Sequence, residues 1–269
     1  MNEMGESDYG GARSAPPTLF LLCTEPRVSD PAWLGTLLSR SGFLGDGDDG
    51  RASAFPIHAH HWAIAIGVEA GPPAHGALMA ALQSIEPNKR PSLAGLDVAP
   101  DINSPHILAL TITRLPVASR AQAVQKLAFM AAALSDQLGA SALYWPPAQL
   151  WSSALELSQA VVAMEAQGLP PLLHFISFFQ DNSPNPADHR MMTAGLGWMV
   201  GHEIELVAPV SMMRPEMLRR IARLAVDTMT HGAYSSPTRV AGLVRGEVID
   251  IAPVDSSGAV RIVRAKVTV

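Results

Sequence analysis

Residues 191–207, MMTAGLGWMVGHEIELV, hold the densest unusual chemistry of the chain: Thr193, glycines at 195, 197 and 201, then Glu203 and Glu205 one residue apart. Carboxylates at i and i+2 of a strand project from one face, so Glu203 and Glu205 form a candidate acid–base pair. A structural reading stands beside this one and is preferred. In it the glycines permit a bulge or a close backbone approach, and the glutamates form the wet face of a strand whose Ile204 and Leu206 enter the core. The glycines do not make a nucleotide loop, because both the lysine of GxxxxGKS/T and the spacing of GxGxxG are missing.

Histidine chemistry is concentrated at His58, His60 and His61. On an extended segment His58 and His60 share a face and could share an ion. A third ligand is needed, and no HExxH or paired-cysteine pattern supplies it, so no complete metal site is expected. Cys23 could pair with a histidine as a nucleophile, but it ends an apolar run and reads as a buried, inert thiol. Asp227 and His231 lie one helical turn apart, where helix capping explains the pair without catalysis. Arg214, Arg219, Arg220 and Arg223 read as a solvated helix face that could also meet an acidic partner. Tyr144-Trp145 before two prolines could line a ligand groove or plug the core at a strand end. The aspartates of residues 44–53 lack the ligand spacing of a calcium loop.

The elements that must position these residues follow from pattern. Residues 18–23 (TLFLLC) form a short apolar run suited to a central strand. Asp30-Pro31 is an N-cap with proline at the first helical position, and Gly42 stops that helix. A strand is expected within residues 55–69, a helix over 74–85, and a strand over 106–113. Ser119 with Gln122, and Ser153 with Glu156, read as capping boxes opening two further helices. Residues 142–145 make a strand between them. Residues 172–179 (LLHFISFF) read as a buried strand, and Leu218, Ile221, Ala222, Ala225 and Met229 as the apolar face of a late helix. Residues 247–251 and 263–269 form a closing hairpin, with Val263, Ala265 and Val267 on one side and Arg264, Lys266 and Thr268 on the other.

Strands and helices alternating in this loose way point to an α+β fold, with mixed or antiparallel sheets packed by helices. Residues 1–16 read as a disordered tail, followed by α+β halves at residues 17–168 and 169–269. Each half has the strand–helix–strand grammar of a ferredoxin-like unit, so two such halves are compatible with the pattern.

Composition bounds the function. Hydrophobic residues make up 48% of the 269 positions and charged residues 16%, which describes a folded, apolar chain. A net charge of −5 opposes a nucleic-acid surface. No apolar run approaches the roughly 20 residues that span a bilayer, and the amino-terminal residues lack a secretory apolar stretch. One cysteine permits no internal disulfide, so the expected address is cytoplasmic.

The run Thr193-Ala194-Gly195-Leu196, followed by Glu203-Ile204-Glu205, resembles the TxGLxxFGxPEIE signature of the DUF4261 family of bacterial proteins. Leu143-Tyr144-Trp145 resembles the family's YW element, and residues 172–179 its strand before a variable loop. The late helix with Ala233-Tyr234 falls where the family places one. The resemblance covers residues 140–252 closely and the amino-terminal half more loosely. Val200 departs from a glycine and His202 from a proline. The resemblance implies an α+β fold in a bacterial cytosolic setting and carries no established activity.

These readings converge on a non-enzymatic binding or interaction module, with an accessory role at a bacterial conflict or secretion locus as its setting. Its partner would be a protein or a small ligand, met near Tyr144, Trp145, Thr193, Gly195, Glu203 and Glu205. No cofactor, nucleic acid or membrane is expected. The alternative is a small-molecule hydrolase with a Glu or His general base.

Overall fold

Apolar alternation decides where the first strand goes. The computed structural model describes residues 17–43, 65–85, 91–103, 106–113, 117–167, 171–181, 185–254 and 261–268. In β1 (Thr18–Leu22), Leu19 and Leu21 enter one hydrophobic cluster while Phe20 and Leu22 enter another. A strand buried on both faces belongs at the centre of a sheet covered on both sides, and β1 lies between β4 and β5.

Chain order then runs through α1 (Pro31–Arg40), β2 (Ala65–Ala70), α2 (Pro72–Gln83), β3 (Ser92–Ala94), β4 (Ile107–Thr113) and α3 (Val117–Leu138). It continues with β5 (Ala142–Trp145), β6 (Leu150–Ser153) and α4 (Ala154–Gln167). The first sheet has the order β2-β4-β1-β5-β6-β3, antiparallel except for the parallel pair β3–β6. Its four strands β2-β4-β1-β5 have the ferredoxin-like order, with β4 inserted between the two strands that α1 connects.

Capping chemistry explains the helix starts. Asp30 accepts from the amides of Ala32 (3.0 Å) and Trp33 (3.4 Å), with Pro31 opening α1. Ser153 Oγ accepts from Glu156 N at the start of α4. The Ser119–Gln122 box does not set the start of α3, which opens at Val117 and so places Ser119 inside the helix.

The second sheet is built from β7 (Ser177–Asp181), β8 (Asp188–Ala194), β9 (His202–Pro209), β10 (Thr238–Ala241), β11 (Val248–Val254) and β12 (Arg261–Thr268). Between them lie α5 (Leu196–Val200) and α6 (Arg214–His231). The order is β10-β11-β12-β9-β8-β7, two antiparallel meanders joined by the parallel pair β9–β12. A second ferredoxin-like half is therefore not formed. After α6 the chain enters the far edge at β10 and returns through hairpins, so two strands, β11 and β12, separate the two that α6 links, where a ferredoxin-like unit has one.

Residues 172–179 also divide. Leu172–His174 make a 3-10 turn, and the strand begins only at Ser177. In α6 the inward face is Met217, Ile221, Leu224 and Ala225, while Leu218 is exposed.

Among the described residues, then, two mixed six-stranded sheets and six α-helices form an α+β structure. One cluster of buried side chains runs from Leu19, Leu21 and Leu110 of the first sheet to Ile204, Leu206 and Val263 of the second. It passes through Leu127 and Leu134 of α3 and through Ile221 of α6. A smaller cluster seats Ala74 and Leu78 of α2 on the other face of the first sheet. Among the described residues no helix is long and apolar enough to cross a membrane.

Candidate functional site

Between β8 and β9 the chain turns through the five-residue helix α5, and the Glu203 carboxylate is folded back under it. Glu203 accepts from Thr193 Oγ1 (2.6 Å) and from the amides of Gly195 (2.9 Å) and Gly197 (2.8 Å). Thr193 Oγ1 in turn accepts from Ile204 N at 2.8 Å. The carboxylate thus takes helix-start amides that α5 itself cannot satisfy. Burial pushes its pKa up from the ordinary carboxylate range, against the Thr193, Gly197 and Gly195 hydrogen bonds that pull it down.

Gly195 is the N-cap of α5, at φ +97°. A Cβ there would sit 2.6 Å from the Phe175 carbonyl oxygen and 2.8 Å from Ala148 Cβ. Gly195→Ala is expected to cost about 2–3 kcal/mol from left-handed strain and overpacking together. A thermal melt reads it, and an unchanged Tm would show that this turn adjusts freely.

Glu205 is buried and not, as the alternation suggested, on a wet face. It lies between Arg190 (3.1 Å) and Arg264 (2.7 Å), which project from the strands on either side of β9. Glu203 is half-buried. The expectation of an open acidic face is therefore corrected: two arginine side chains and the α5 turn cover the carboxylates. Each of the two acids has its own set of donors.

Tyr144 and Trp145 line no groove. Both lie inside, with exposures of 0% and 1%. Tyr144 packs on Trp151 with ring centroids 4.7 Å apart, and Trp145 meets Phe175 and Trp198 edge-on. Cys23 is buried, and burial pushes its thiol up to about 12. His58 and His60 lie outside the described residues, among which no group of three or more His, Cys, Asp or Glu is placed to hold a metal.

Asp227 does meet His231, Oδ1 to Nδ1 at 2.9 Å, and also accepts from the Tyr234 hydroxyl. That phenol is pushed above its usual range, first by burial and then by the adjacent carboxylate. Arg220, grouped in the sequence with a solvated face, is instead buried in a bidentate pair with Glu247.

The outer face of the second sheet carries a feature that the sequence reading did not assemble. The strand register places Arg239, Asp250, Lys266 and Val207 side by side across β10, β11, β12 and β9. The next row is Ala252, Arg264, Glu205 and Met192. Over β10–β12 this face hollows into a basin of about 500 Å3, lined by Arg239, Asp250, Ala252, Val254, Arg264 and Lys266 among others. Arg239 and Arg264 each use Nε in their ion pairs, with Asp250 and Glu205. Lys266 makes no ion pair among the described residues. The alternation of β12 already placed Arg264 and Lys266 on one side, but β10 had no sequence signal to bring Arg239 beside them.

No family model, curated protein or solved structure matches the chain.

Proposed function

We propose that the protein is a binding module that meets a macromolecular partner through the outer face of its second sheet. One observation carries this reading. The carboxylates that could have served as acid and base are engaged, Glu203 by Thr193, Gly195 and Gly197 and Glu205 by Arg190 and Arg264, while the basin opens beside them on β10–β12. A concavity with an apolar floor and a few fixed polar groups is the ordinary form of a recognition surface. The pattern of Thr193, Gly195 and Glu203, which carries the resemblance to DUF4261, serves on this reading to hold β8 and β9 in register beneath that surface.

The test is positional. A photo-crosslinking side chain at Ala252, on the basin floor, is expected to give one defined crosslinked species in a lysate of the source cells. The same side chain at Gln159, exposed on α4, is expected to give none. Equal products from both positions, or none from either, would overturn the reading.

The hydrolase alternative keeps one geometric support, since Asp227 holds His231 through Nδ1 and leaves its Nε2 to solvent. Neither residue lines the basin. Turnover of ester or phosphate substrates that His231→Gln abolishes would transfer the function there.

A further inference from the structure

Resting on the preceding reading, we propose that the basin on β10–β12 receives an extended acidic segment of a partner protein, with carboxylate side chains at alternate residues.

The cations are fixed at intervals that suit such a segment. Arg264 and Lys266 are two residues apart on β12, so their side chains leave the sheet about 7 Å apart. Arg239 lies across Asp250 from Lys266, two strand spacings or about 10 Å away. Alternate side chains of an extended peptide recur at the same interval of about 7 Å, so each cation can meet its own carboxylate.

The charges present are also available. Asp250 and Glu205 hold the two guanidinium groups by their Nε atoms. Their terminal amino groups, which can also donate to carboxylates, make no hydrogen bond among the described residues. The Arg239 and Arg264 side chains are 73% and 51% exposed, so their pairing with Asp250 and Glu205 orients them without hiding them. Lys266 adds a cation with no counter-ion among the described residues. Arg239, Arg264 and Lys266 against Asp250 and the Glu205 that holds Arg264 leave this face positive on a chain of net charge −5, opposite in sign to the molecule that carries it. Ala252 and Val254 give the floor an apolar surface for the intervening side chains.

A nucleic acid strand would also present repeated anions, but the lining holds no aromatic ring for base stacking. The long-range field of an acidic protein also repels a polyanion more than it repels a short segment.

The experiment measures fluorescence anisotropy of fluorescein-labelled probes added to the whole chain. The acidic probe is four Val-Glu repeats, and the controls are four Val-Lys repeats and a uridine octamer. The acidic probe is expected to bind, to weaken about tenfold between about 50 and 300 mM NaCl, and to lose about tenfold in Lys266→Glu. Lys266 is exposed, so the melting curve of that variant should match the wild type; Lys266→Gln, a milder change, should give an intermediate loss. No salt-sensitive binding of the acidic probe, an affinity unchanged in both Lys266 variants, or equal binding of the uridine octamer would each overturn the proposal. If the acidic probe fails while Ala252 still gives its defined crosslink, the acidic chemistry falls and the binding face stands. If both fail, the functional reading falls with it.

Discussion

Lowering the pH from about 7 to about 4.5 is expected to remove roughly 5 kcal/mol of stability, and two histidines are the cause. His174, in the turn before β7, and His202, the first residue of β9, are 6% and 3% exposed. His174 Nδ1 and His202 Nε2 have no hydrogen-bond partner among the described residues. Burial holds both rings near a pKa of about 4, with Arg261 adding to the effect at His202. The unfolded chain takes up these protons near pH 6.5, so between about 6.5 and 4 it binds more protons than the folded chain. Stability therefore falls as pH is lowered through that window, by about 2–3 kcal/mol for each ring.

Other groups act elsewhere on the scale. Arg220 holds the Glu247 carboxyl below its usual range, so its contribution is lost only as pH falls below about 4.5. Glu203, raised by burial, acts in the opposite direction. Urea unfolding at a series of pH values reads the slope, and His174→Gln with His202→Gln should flatten it. A wild-type curve already flat from pH 6.5 to 4.5 would show that neither ring resists protonation.

Glu247→Ala is the second large effect, at about 3–5 kcal/mol. The Glu247 side chain is fully buried and accepts from Arg220 Nη2 at 2.9 Å and from the amides of Leu243 (3.0 Å) and Val244 (3.1 Å). It therefore anchors α6 and closes the turn between β10 and β11. Gly242 leaves the space it needs, since a Cβ there would fall 2.3 Å from the Glu247 carboxyl carbon. Removing the carboxylate strands the Arg220 guanidinium in the interior together with two turn amides. Because the cost comes from the unpaired charge, Arg220→Met combined with Glu247→Leu should recover part of it. A urea midpoint for Glu247→Ala within experimental error of wild type would refute the account.

Local pattern was enough for the elements whose faces differ most. Leu19–Leu22 is apolar throughout and became the centre of a sheet. Val263, Ala265 and Val267 alternate with Arg264 and Lys266, and that alternation is the one observed. Asp30-Pro31 carries its own cap. Fates decided by distant partners were not legible. Nothing near Glu205 shows that Arg264, 59 positions later, will cover it. Arg220 reads as one more surface arginine until Glu247 is brought to it. β10 is four residues long and almost wholly exposed, so no apolar rhythm marks it. The basin depends on that strand and on its register with β11 and β12, neither of which is written in a single segment. The sheet is completed by a parallel seam between β9 and β12.

That seam sets how the second sheet must be assembled. The meanders β7-β8-β9 and β10-β11-β12 are each held by neighbours close in sequence, whereas His202 finds its register partner Arg261 across 59 residues. Closing a loop of that length costs about 3–4 kcal/mol of chain entropy. The midline of the sheet is therefore its least local contact, and such contacts form late and slow the folding of the chains that need them. Arg264 and Lys266 lie on that midline. The basin is lined within β10–β12, so a chain arrested before the seam closes carries the basin's strands but leaves Arg264 without the Glu205 that holds it.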